Sequence, residues 1–153
     1  MKAYLDIETS FSGKITVIGI YHESDLLLQL VGDDITPGNL MSSLDTISTI
    51  VTYNGSRFDL PVIKNRLGTD LKEHFLSLDL MYECWRQNLY GGLKKVEEQL
   101  GITRKSQGID GWEAMRLWER YVHRNDRQAL NTLLYYNRDD VLNLPILEKR
   151  LFP

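Results

Sequence analysis

The stretch KAYLDIE, residues 2–8, alternates apolar and polar side chains and predicts a β-strand at the start of the chain. Successive side chains of a strand point to opposite faces, so Asp6 and Glu8 project together while the apolar residues between them face the other side. Two neighbouring carboxylates repel, and each raises the proton affinity of the other unless a cation lies between them. The pair is typical of a metal site and equally of an exposed edge strand, so the stretch alone leaves both interpretations open.

Four further strands are predicted around this first one. ITVIGIY (15–21) and LLLQLV (26–31) are apolar and separated by short polar turns, which favours a three-strand antiparallel meander. TIVTY (49–53) and FLSLDL (75–80) supply two more strands. Helices are predicted near residues 39–44, 60–66, 93–100, 113–122 and 126–143, the last interrupted by Pro145. This order predicts an α/β protein with a five-stranded mixed sheet flanked by helices.

A third acidic candidate, Asp59, follows the fourth predicted strand. That strand ends in the turn Asn54-Gly55-Ser56, and Asp59 stands at the start of the next predicted helix. Asp is a preferred N-cap residue and Pro61 fits a first helical turn, so a structural role explains the position. A carboxylate at a helix N-terminus is also well placed to hold a metal-bound water, and both roles can hold at once.

Two overlapping Tyr-x-x-x-Asp pairs lie on the last predicted helix, namely Tyr135 with Asp139 and Tyr136 with Asp140. Residues four apart share one helix face. At about 100° per residue, Tyr136 and Asp140 border the apolar face of this helix, whereas Tyr135 and Asp139 point away from it. A residue that lines a cleft belongs at such a border, so the helical register favours Tyr136 and Asp140.

Composition sets outer limits on what the chain can be. Its 153 residues are 42% hydrophobic and 25% charged, ordinary values for one globular domain, here expected to span residues 1–153. A single cysteine, Cys84, excludes a disulfide framework and a multi-cysteine zinc site. No secretory signal is visible, and no apolar run approaches the ~20 residues that a membrane span needs, so a cytoplasmic protein without a membrane segment is expected.

The charge is unevenly distributed along the chain, although the net charge is only −3. Residues 1–85 hold twelve acidic and six basic side chains, whereas residues 86–127 hold six acidic and nine basic ones. This distribution suits a metal-binding carboxylate cluster beside a phosphate-binding rim, and it also suits many proteins without either.

Taken in order, Asp6-x-Glu8, Asn54-x-x-x-Phe58-Asp59 and Tyr136-x-x-x-Asp140 resemble the three motifs of the proofreading-type DEDD 3′–5′ exonucleases, in their tyrosine-containing (DEDDy) branch. The resemblance runs from residue 6 to residue 140. Four shorter fragments are similar to the YprB-like predicted exonucleases: Asp79-Leu80, Gly92-Leu93-Lys94-x-Val96, Leu100-Gly101-Ile102 and Tyr136-Asn137-x-x-Asp140-Val141. The resemblance implies a ribonuclease H-like fold, in agreement with the predicted order of strands and helices.

The same resemblance implies hydrolysis of phosphodiester bonds at the 3′ ends of single-stranded DNA or RNA by two Mg²⁺ or Mn²⁺ ions, releasing nucleoside 5′-monophosphates. Carboxylates are the hard oxygen ligands that these ions prefer. By similarity, Asp6 would contact both ions, Glu8 and Asp140 the first, and Asp59 the second, directly or through water. Tyr136 would orient the attacking water. The residues implied to contact the substrate from within or beside the motifs are Thr9, Asn54 and Phe58.

Basic residues between 116 and 127 offer a further candidate surface. Arg116 and Arg120 recur at helical spacing and are candidates for contacts with substrate phosphates. The spacing is equally typical of a solvated helix face whose opposite side buries Met115, Trp118 and Val122. Both interpretations stay open.

Other aromatic and titratable residues have alternative roles. Trp85, Tyr90 and Trp112 could stack on bases or belong to the core. His74 and Asp79 have the spacing of the histidine-containing branch of the exonucleases, but they follow Asp59 closely and lie at a predicted strand. We therefore expect Asp79 to be structural.

Two other functions compete with the exonuclease. One is a catalytically weak module on the same fold that binds nucleic acid or docks a protein, and the presence of all four carboxylates and the tyrosine argues against it. The other is a structure-specific endonuclease, which product size would distinguish. The sequence shows no polymerase or helicase segment, so the protein is expected to act alone or with a protein partner in trans, and no pattern indicates its oligomeric state.

Overall fold

A five-stranded mixed sheet forms the centre of the computed structural model, which describes residues 1–106 and 108–153. Its strands stand in the order β3-β2-β1-β4-β5. β1 pairs antiparallel with β2, and β2 with β3, whereas β4 runs parallel to both β1 and β5. The strands are β1 (Lys2–Thr9), β2 (Ile15–His22), β3 (Leu26–Val31), β4 (Thr49–Thr52) and β5 (Leu76–Asp79). The predicted meander with two further strands is confirmed.

Helices cover both faces of this sheet. The helices are α1 (Pro37–Ser43), α2 (Asp59–Leu67), α3 (Leu80–Arg86), α4 (Leu93–Leu100), α5 (Gly111–Arg124) and α6 (Arg127–Leu151). α1 and α2 bury apolar residues against one face of the sheet, and α3, α4, α5 and α6 bury theirs against the other. The helix α3 is an addition to the sequence prediction, which named no separate helix there.

The side chains of β1 alternate between the two faces of the sheet, as predicted. Ala3, Leu5 and Ile7 are buried in the core beneath α1 and α2, whereas Tyr4 packs in the core formed with α6. Because side chains alternate, Asp6 and Glu8 share the face of Tyr4. Both carboxylates are therefore directed toward α6 rather than toward solvent at a sheet edge, since β1 is the central strand.

The helix α6 continues through Pro145 to Leu151, so the predicted interruption at this proline is wrong. A proline inside a helix lacks one backbone N–H and costs about 3 kcal/mol. The last two turns nevertheless bury Leu144, Leu147 and Leu151, and burial of each such side chain contributes roughly 1.5–3 kcal/mol. Packing against the sheet thus outweighs the local preference.

The buried face of α5 also differs from the prediction. Ala114, Leu117 and Trp118 are buried, but Val122 is 52% exposed. The side chains of Ala114 and Leu117 pack with α6 and β2, so the face that meets the sheet lies along residues 114, 117 and 118 rather than along 115, 118 and 122. None of the helices in the described ranges has the length and apolarity that a membrane span requires.

Candidate active site

Three carboxylates from opposite ends of the chain meet on the α6 side of the sheet. Asp6 and Glu8 come from β1 and Asp140 from α6, and one oxygen of each lies within 4.8 Å of the others. Asp6 and Glu8 are half-buried, and Asp140 is buried. The central strand and the longest helix, two rigid elements, therefore hold the cluster.

A glycine on the neighbouring strand allows α6 to approach Asp6 closely. Gly19 of β2 pairs with Asp6 across the antiparallel ladder, and a Cβ at this position would overlap the side-chain oxygen of Asn137. The Asn137 amide donates to the backbone oxygen of Asp6 at 3.2 Å and to its carboxylate at 3.3 Å. Gln29 of β3 in turn donates to Asn137 at 3.1 Å. These contacts fix the distance between β1 and α6.

Asp59 reaches the same strand from α2, on its other side. It is the first residue of α2 rather than its N-cap, which is Phe58, and it is 3% exposed. Its carboxylate accepts a hydrogen bond of 2.9 Å from the backbone N–H of Ile7, the residue between Asp6 and Glu8. The N-cap interpretation is therefore wrong, because the carboxylate is directed to β1 instead of to its own helix.

The electrostatics of this cluster favour protons or a cation. Burial and the charges of Asp140 and Glu8 raise the pKa of Asp6 well above its usual range. Burial and Asp140 raise the pKa of Glu8 to about 8, and burial raises that of Asp59 to about 7. Ordinary values are about 4 for both residue types. At neutral pH the site would release energy by binding a divalent cation in place of these protons.

A buried arginine compensates part of this negative charge. Arg104, from the loop between α4 and α5, forms ion pairs with Asp140 and, at 2.6 Å, with Glu97 of α4. The amide of Asn143 donates to the other oxygen of Glu97 at 2.6 Å. Burial still raises the pKa of Asp140 despite Arg104, so a single guanidinium does not neutralise the cluster.

Tyr136 lies beside the cluster, and Tyr135 does not. Tyr136 is buried and lines a cavity of about 320 Å³ together with Asp6 and Asp140, whereas Tyr135 is 39% exposed. The ammonium of Lys94 lies 4.5 Å from the centre of the Tyr136 ring. Burial and Asp140 raise the pKa of the Tyr136 hydroxyl, so it stays protonated at neutral pH.

The companion residue Asp139 departs from the prediction that it points away from the core. It is buried, and its carboxylate accepts hydrogen bonds from the backbone N–H and the hydroxyl of Ser106, at 2.7 and 2.5 Å. The loop between α4 and α5 covers this side of α6, which a helical periodicity cannot reveal. Asp139 thus anchors the loop that carries Arg104.

The residues implied to contact a substrate come from three places in the fold, and none of them is among the described residues that line this cavity. Thr9 ends β1 at a β-bulge, and Phe58 is 42% exposed before α2. Asn54 adopts a left-handed backbone conformation with φ of 61°, and its side-chain oxygen is buried without a hydrogen-bond partner in the described part of the chain. The backbone of Asn54 is held by Asp79, which accepts its N–H at 2.8 Å.

Arg116 and Arg120 lie outside the acidic cavity. Both line a separate groove along α5, together with Phe11 and Trp112. Arg120 forms an ion pair with Glu113, whose carboxylate lies 3.7 Å from the guanidinium. The helical spacing made both arginines candidates for contacts with substrate phosphates, and this role stays a prediction.

One family model matches nearly the whole chain. The model described as the RNase_H superfamily matches residues 3–152. The chain belongs to the ribonuclease H superfamily. The ribonuclease H-like fold that the motifs implied and the predicted fold class are thereby confirmed.

Individual proteins similar to this ribonuclease H superfamily chain are longer than it is. The uncharacterized protein YprB of Bacillus subtilis (strain 168) is 30% identical over 128 residues, which cover 71% of this chain and 30% of YprB. The family B DNA polymerase from the archaeon Pyrobaculum calidifontis superposes with a TM-score of 0.75 at 19% identity, over 99% of this chain and 24% of the polymerase chain. The structure titled as the EXD2 exonuclease domain soaked in Mn and GMP gives a TM-score of 0.41 at 21% identity, over 97% of this chain and 80% of that domain. The polymerase match shows the shared fold.

Sequence reasoning missed several residues that build this ribonuclease H-like site. Asn137 appeared within a motif fragment but received no role, Gly19 received none, and Arg104 was not expected at the carboxylates. A glycine in the middle of an apolar strand is a recognisable signal of close backbone approach. Arg104 carries no such signal, because it lies in a loop and its partners are 7 and 36 residues away in sequence.

Proposed function

We propose that this chain is a divalent-metal-dependent 3′–5′ exonuclease of the DEDDy type, which hydrolyses single-stranded DNA or RNA from its 3′ end and releases nucleoside 5′-monophosphates. The observation that carries the proposal is the meeting of Asp6, Glu8 and Asp140 within 4.8 Å, with Asp59 bound to the strand between them. Membership of a nuclease-type superfamily supports the reaction class.

The donor set fits Mg²⁺ or Mn²⁺. The cluster offers carboxylate oxygens alone, and burial together with the neighbouring carboxylates raises the pKa values of Asp6 and Glu8. Asp6, Glu8 and Asp140 would hold one ion, and Asp6 and Asp59 would hold a second, Asp59 directly or through water. Two such ions supply the Lewis acidity that lowers the pKa of an attacking water and stabilises charge on the leaving 3′ oxygen.

The protein's own groups would position the reactants. Tyr136 stays protonated, so its hydroxyl acts as a hydrogen-bond donor that orients the attacking water and not as a base. Lys94 and Arg104 place positive charge beside the cavity, where it would attract the phosphate of the terminal nucleotide. No histidine lines this cavity in the described residues, so activation of the water would not depend on an imidazole base.

The decisive experiment is digestion of 5′-labelled single-stranded DNA and RNA with Mn²⁺ or Mg²⁺, comparing the wild type with Asp6→Ala. We expect a ladder that shortens from the 3′ end, with mononucleotide products, that EDTA and Asp6→Ala both abolish. Asp45→Ala is the matched control, because Asp45 is an exposed aspartate away from the cluster. Equal digestion by the Asp6→Ala and Asp45→Ala proteins would refute the mechanism.

The two competing functions give different results in the same experiment. A structure-specific endonuclease would leave longer fragments rather than mononucleotides. A binding module without turnover would leave the labelled strand intact while calorimetric titration with Mn²⁺ gave no heat. Nothing in the described structure favours either over the exonuclease.

A further inference from the structure

A second concave surface adjoins the acidic cavity and has no role in the chemistry proposed above. It is a groove of about 630 Å³ between the turn after β1 and the outer face of α5. The residues that line it are Phe11, Trp112, Arg116, Glu119, Arg120, His123 and Arg124. Its mixture of aromatic and basic side chains differs from the carboxylates of the cavity.

Two aromatic rings form one end of the groove. Phe11 is 45% exposed and Trp112 60%, and their ring centres lie 4.8 Å apart at 65°. They come from the β1–β2 turn and from the first turn of α5, so the pair bridges two elements. Rings exposed to this extent add little to the core, and their free faces are available for stacking.

Arginines line the rest of the groove. Arg116 and Arg124 are exposed, and within residues 1–106 and 108–153 neither forms an ion pair with a carboxylate. The carboxylate that lines the groove, Glu119, lies 2.8 Å from His123. The groove is therefore positively charged in a chain whose net charge is −3.

The groove and the carboxylate cluster have residues that are neighbours in sequence at two places. Phe11 follows Glu8 by three residues, so their Cα atoms lie at most about 11 Å apart. On the other side, Gly111 lines the acidic cavity with Asp6 and Asp140, and the next residue is Trp112. A strand that enters the cavity can thus continue along the groove.

We propose that this groove binds the part of a single-stranded nucleic acid that precedes its reacting end, with bases stacked on Phe11 and Trp112 and phosphates paired with Arg116 and Arg124. Aromatic faces interleaved with cations are the combination that holds single strands without reading their sequence. The inference rests on the proposed function for the direction of the strand. Because stacking and phosphate contacts do not involve the 2′-hydroxyl, the groove accepts the features that DNA and RNA share.

The chain contains a matched control for the aromatic pair. Tyr82 and Trp85 of α3 are each 37% exposed, and their rings also meet edge-on, at 5.2 Å and 90°. The arginine beside them, Arg86, is paired with Glu83 at 2.9 Å. This second pair has exposed rings, but the arginine next to them is paired with a carboxylate.

The test is binding of fluorescein-labelled oligodeoxythymidylate by anisotropy in EDTA, repeated from 50 to 200 mM salt. The double substitution Phe11→Ala/Trp112→Ala should weaken binding at least about tenfold without changing the salt dependence, because it removes stacking alone. The double substitution Arg116→Gln/Arg124→Gln should reduce the slope of log K against log salt by about 1.4, because about 0.7 is lost per phosphate contact with a single strand. Tyr82→Ala/Trp85→Ala should change neither quantity.

Tryptophan emission gives an independent measurement that does not depend on the alanine variants. Oligodeoxythymidylate should quench the wild type and Trp85→Phe, but Trp112→Phe should lose most of the quenching. Unlabelled oligouridylate should quench the wild type to a similar extent. Quenching of the wild type by poly-glutamate of equal charge would instead assign the groove to acidic proteins and overturn the proposal.

The outcome is separate from that of the exonuclease proposal. Affinity and salt slope equal to the wild type in both groove variants would overturn the groove while leaving the 3′ ladder intact. Loss of binding in the groove variants, with no hydrolysis by the wild type in Mn²⁺, would support the groove and refute the exonuclease.

Discussion

Two kinds of carboxylate in this protein differ in what surrounds them. Asp79 accepts three backbone N–H groups, from Asn54, Ser56 and Met81, at 2.8 to 3.1 Å. Asp6, by contrast, faces Glu8 and Asp140, and its side chain receives one amide hydrogen bond, from Asn137 at 3.3 Å.

This difference separates a carboxylate that fixes the backbone from one whose charge is poorly compensated. The N–H groups around Asp79 provide the hydrogen bonds that a buried carboxylate needs, so the turn before α2 and the start of α3 are both fixed by one side chain. Among residues 1–106 and 108–153, no backbone N–H donates to the carboxylates of Asp6, Glu8 or Asp140, and the cluster is destabilising unless protons or cations are bound. Asp139 accepts two hydrogen bonds from Ser106, so its carboxylate is stabilised by donors as that of Asp79 is.

Replacing one carboxylate of each kind by asparagine should change stability in opposite directions, and this is the largest expected effect. Asp79→Asn puts an amide N–H against a backbone N–H and should lower the free energy of unfolding by about 3 kcal/mol, since hydrogen bonds to a charged group are worth roughly 1.5–3 kcal/mol each. Asp6→Asn should instead raise the unfolding midpoint of the metal-free protein by about 2–4 °C, because it relieves repulsion between carboxylates.

Thermal unfolding in EDTA measures both variants, and hydrolysis in Mn²⁺ gives the complementary readout. The Asp6→Asn protein should lose at least about a thousandfold in turnover while being the more stable of the two, because a metal ligand contributes several kcal/mol to the transition state. Destabilisation of both proteins to the same extent would mean that the two kinds of carboxylate do not differ.

Substitutions of the two adjacent tyrosines of α6 should differ in their effect on turnover. Tyr136→Phe removes a hydroxyl beside Asp6 and Asp140 and should slow turnover by about ten- to a hundredfold, the value of one hydrogen bond to a charged group. Tyr135→Phe changes an exposed side chain and should alter turnover less than about twofold. Steady-state rates with a single-stranded substrate decide the order, and the reverse order would exclude Tyr136 from the site.

Much of the fold and the positions of the candidate carboxylates could be predicted because their signals are local. The alternation along β1 directed Asp6 and Glu8 to one face, and the helical angle directed Tyr136 to the border of the apolar stripe. Contacts between distant segments left no such signal. Asn137 on Asp6, Arg104 on Asp140 and Ser106 on Asp139 each depend on how a loop or helix packs against another element.

The remaining errors have the same origin. The helix α6 continues through Pro145 because the leucines beyond it are buried. The local helix preference of proline gives no information about that burial. The buried face of α5 is set by the close approach of Ala114 to its neighbours rather than by the spacing of the largest apolar residues. In both places tertiary packing overrides propensity.

The smallest expected effect is the pH dependence of the stability of the metal-free protein. It tests, without any substrate, whether the charges of the carboxylate cluster are uncompensated. The pKa of Glu8 is raised to about 8 and that of Asp59 to about 7 in the folded chain, against about 4 in the unfolded chain. Between these values the unfolded state loses its protons first, so the free energy of unfolding falls as the pH rises from about 6.5 to about 7.5, by about 2 kcal/mol for these two groups. We expect the unfolding midpoint in EDTA to fall by about 4–8 °C over this range. Asp6→Asn/Glu8→Gln should flatten most of this dependence, because it removes the charges that repel, while Asp45→Asn should leave it unchanged. A wild-type midpoint that stays constant or rises over the same range would mean that Arg104 and the surrounding dipoles already balance the cluster, and the site would then have no electrostatic need for a metal ion.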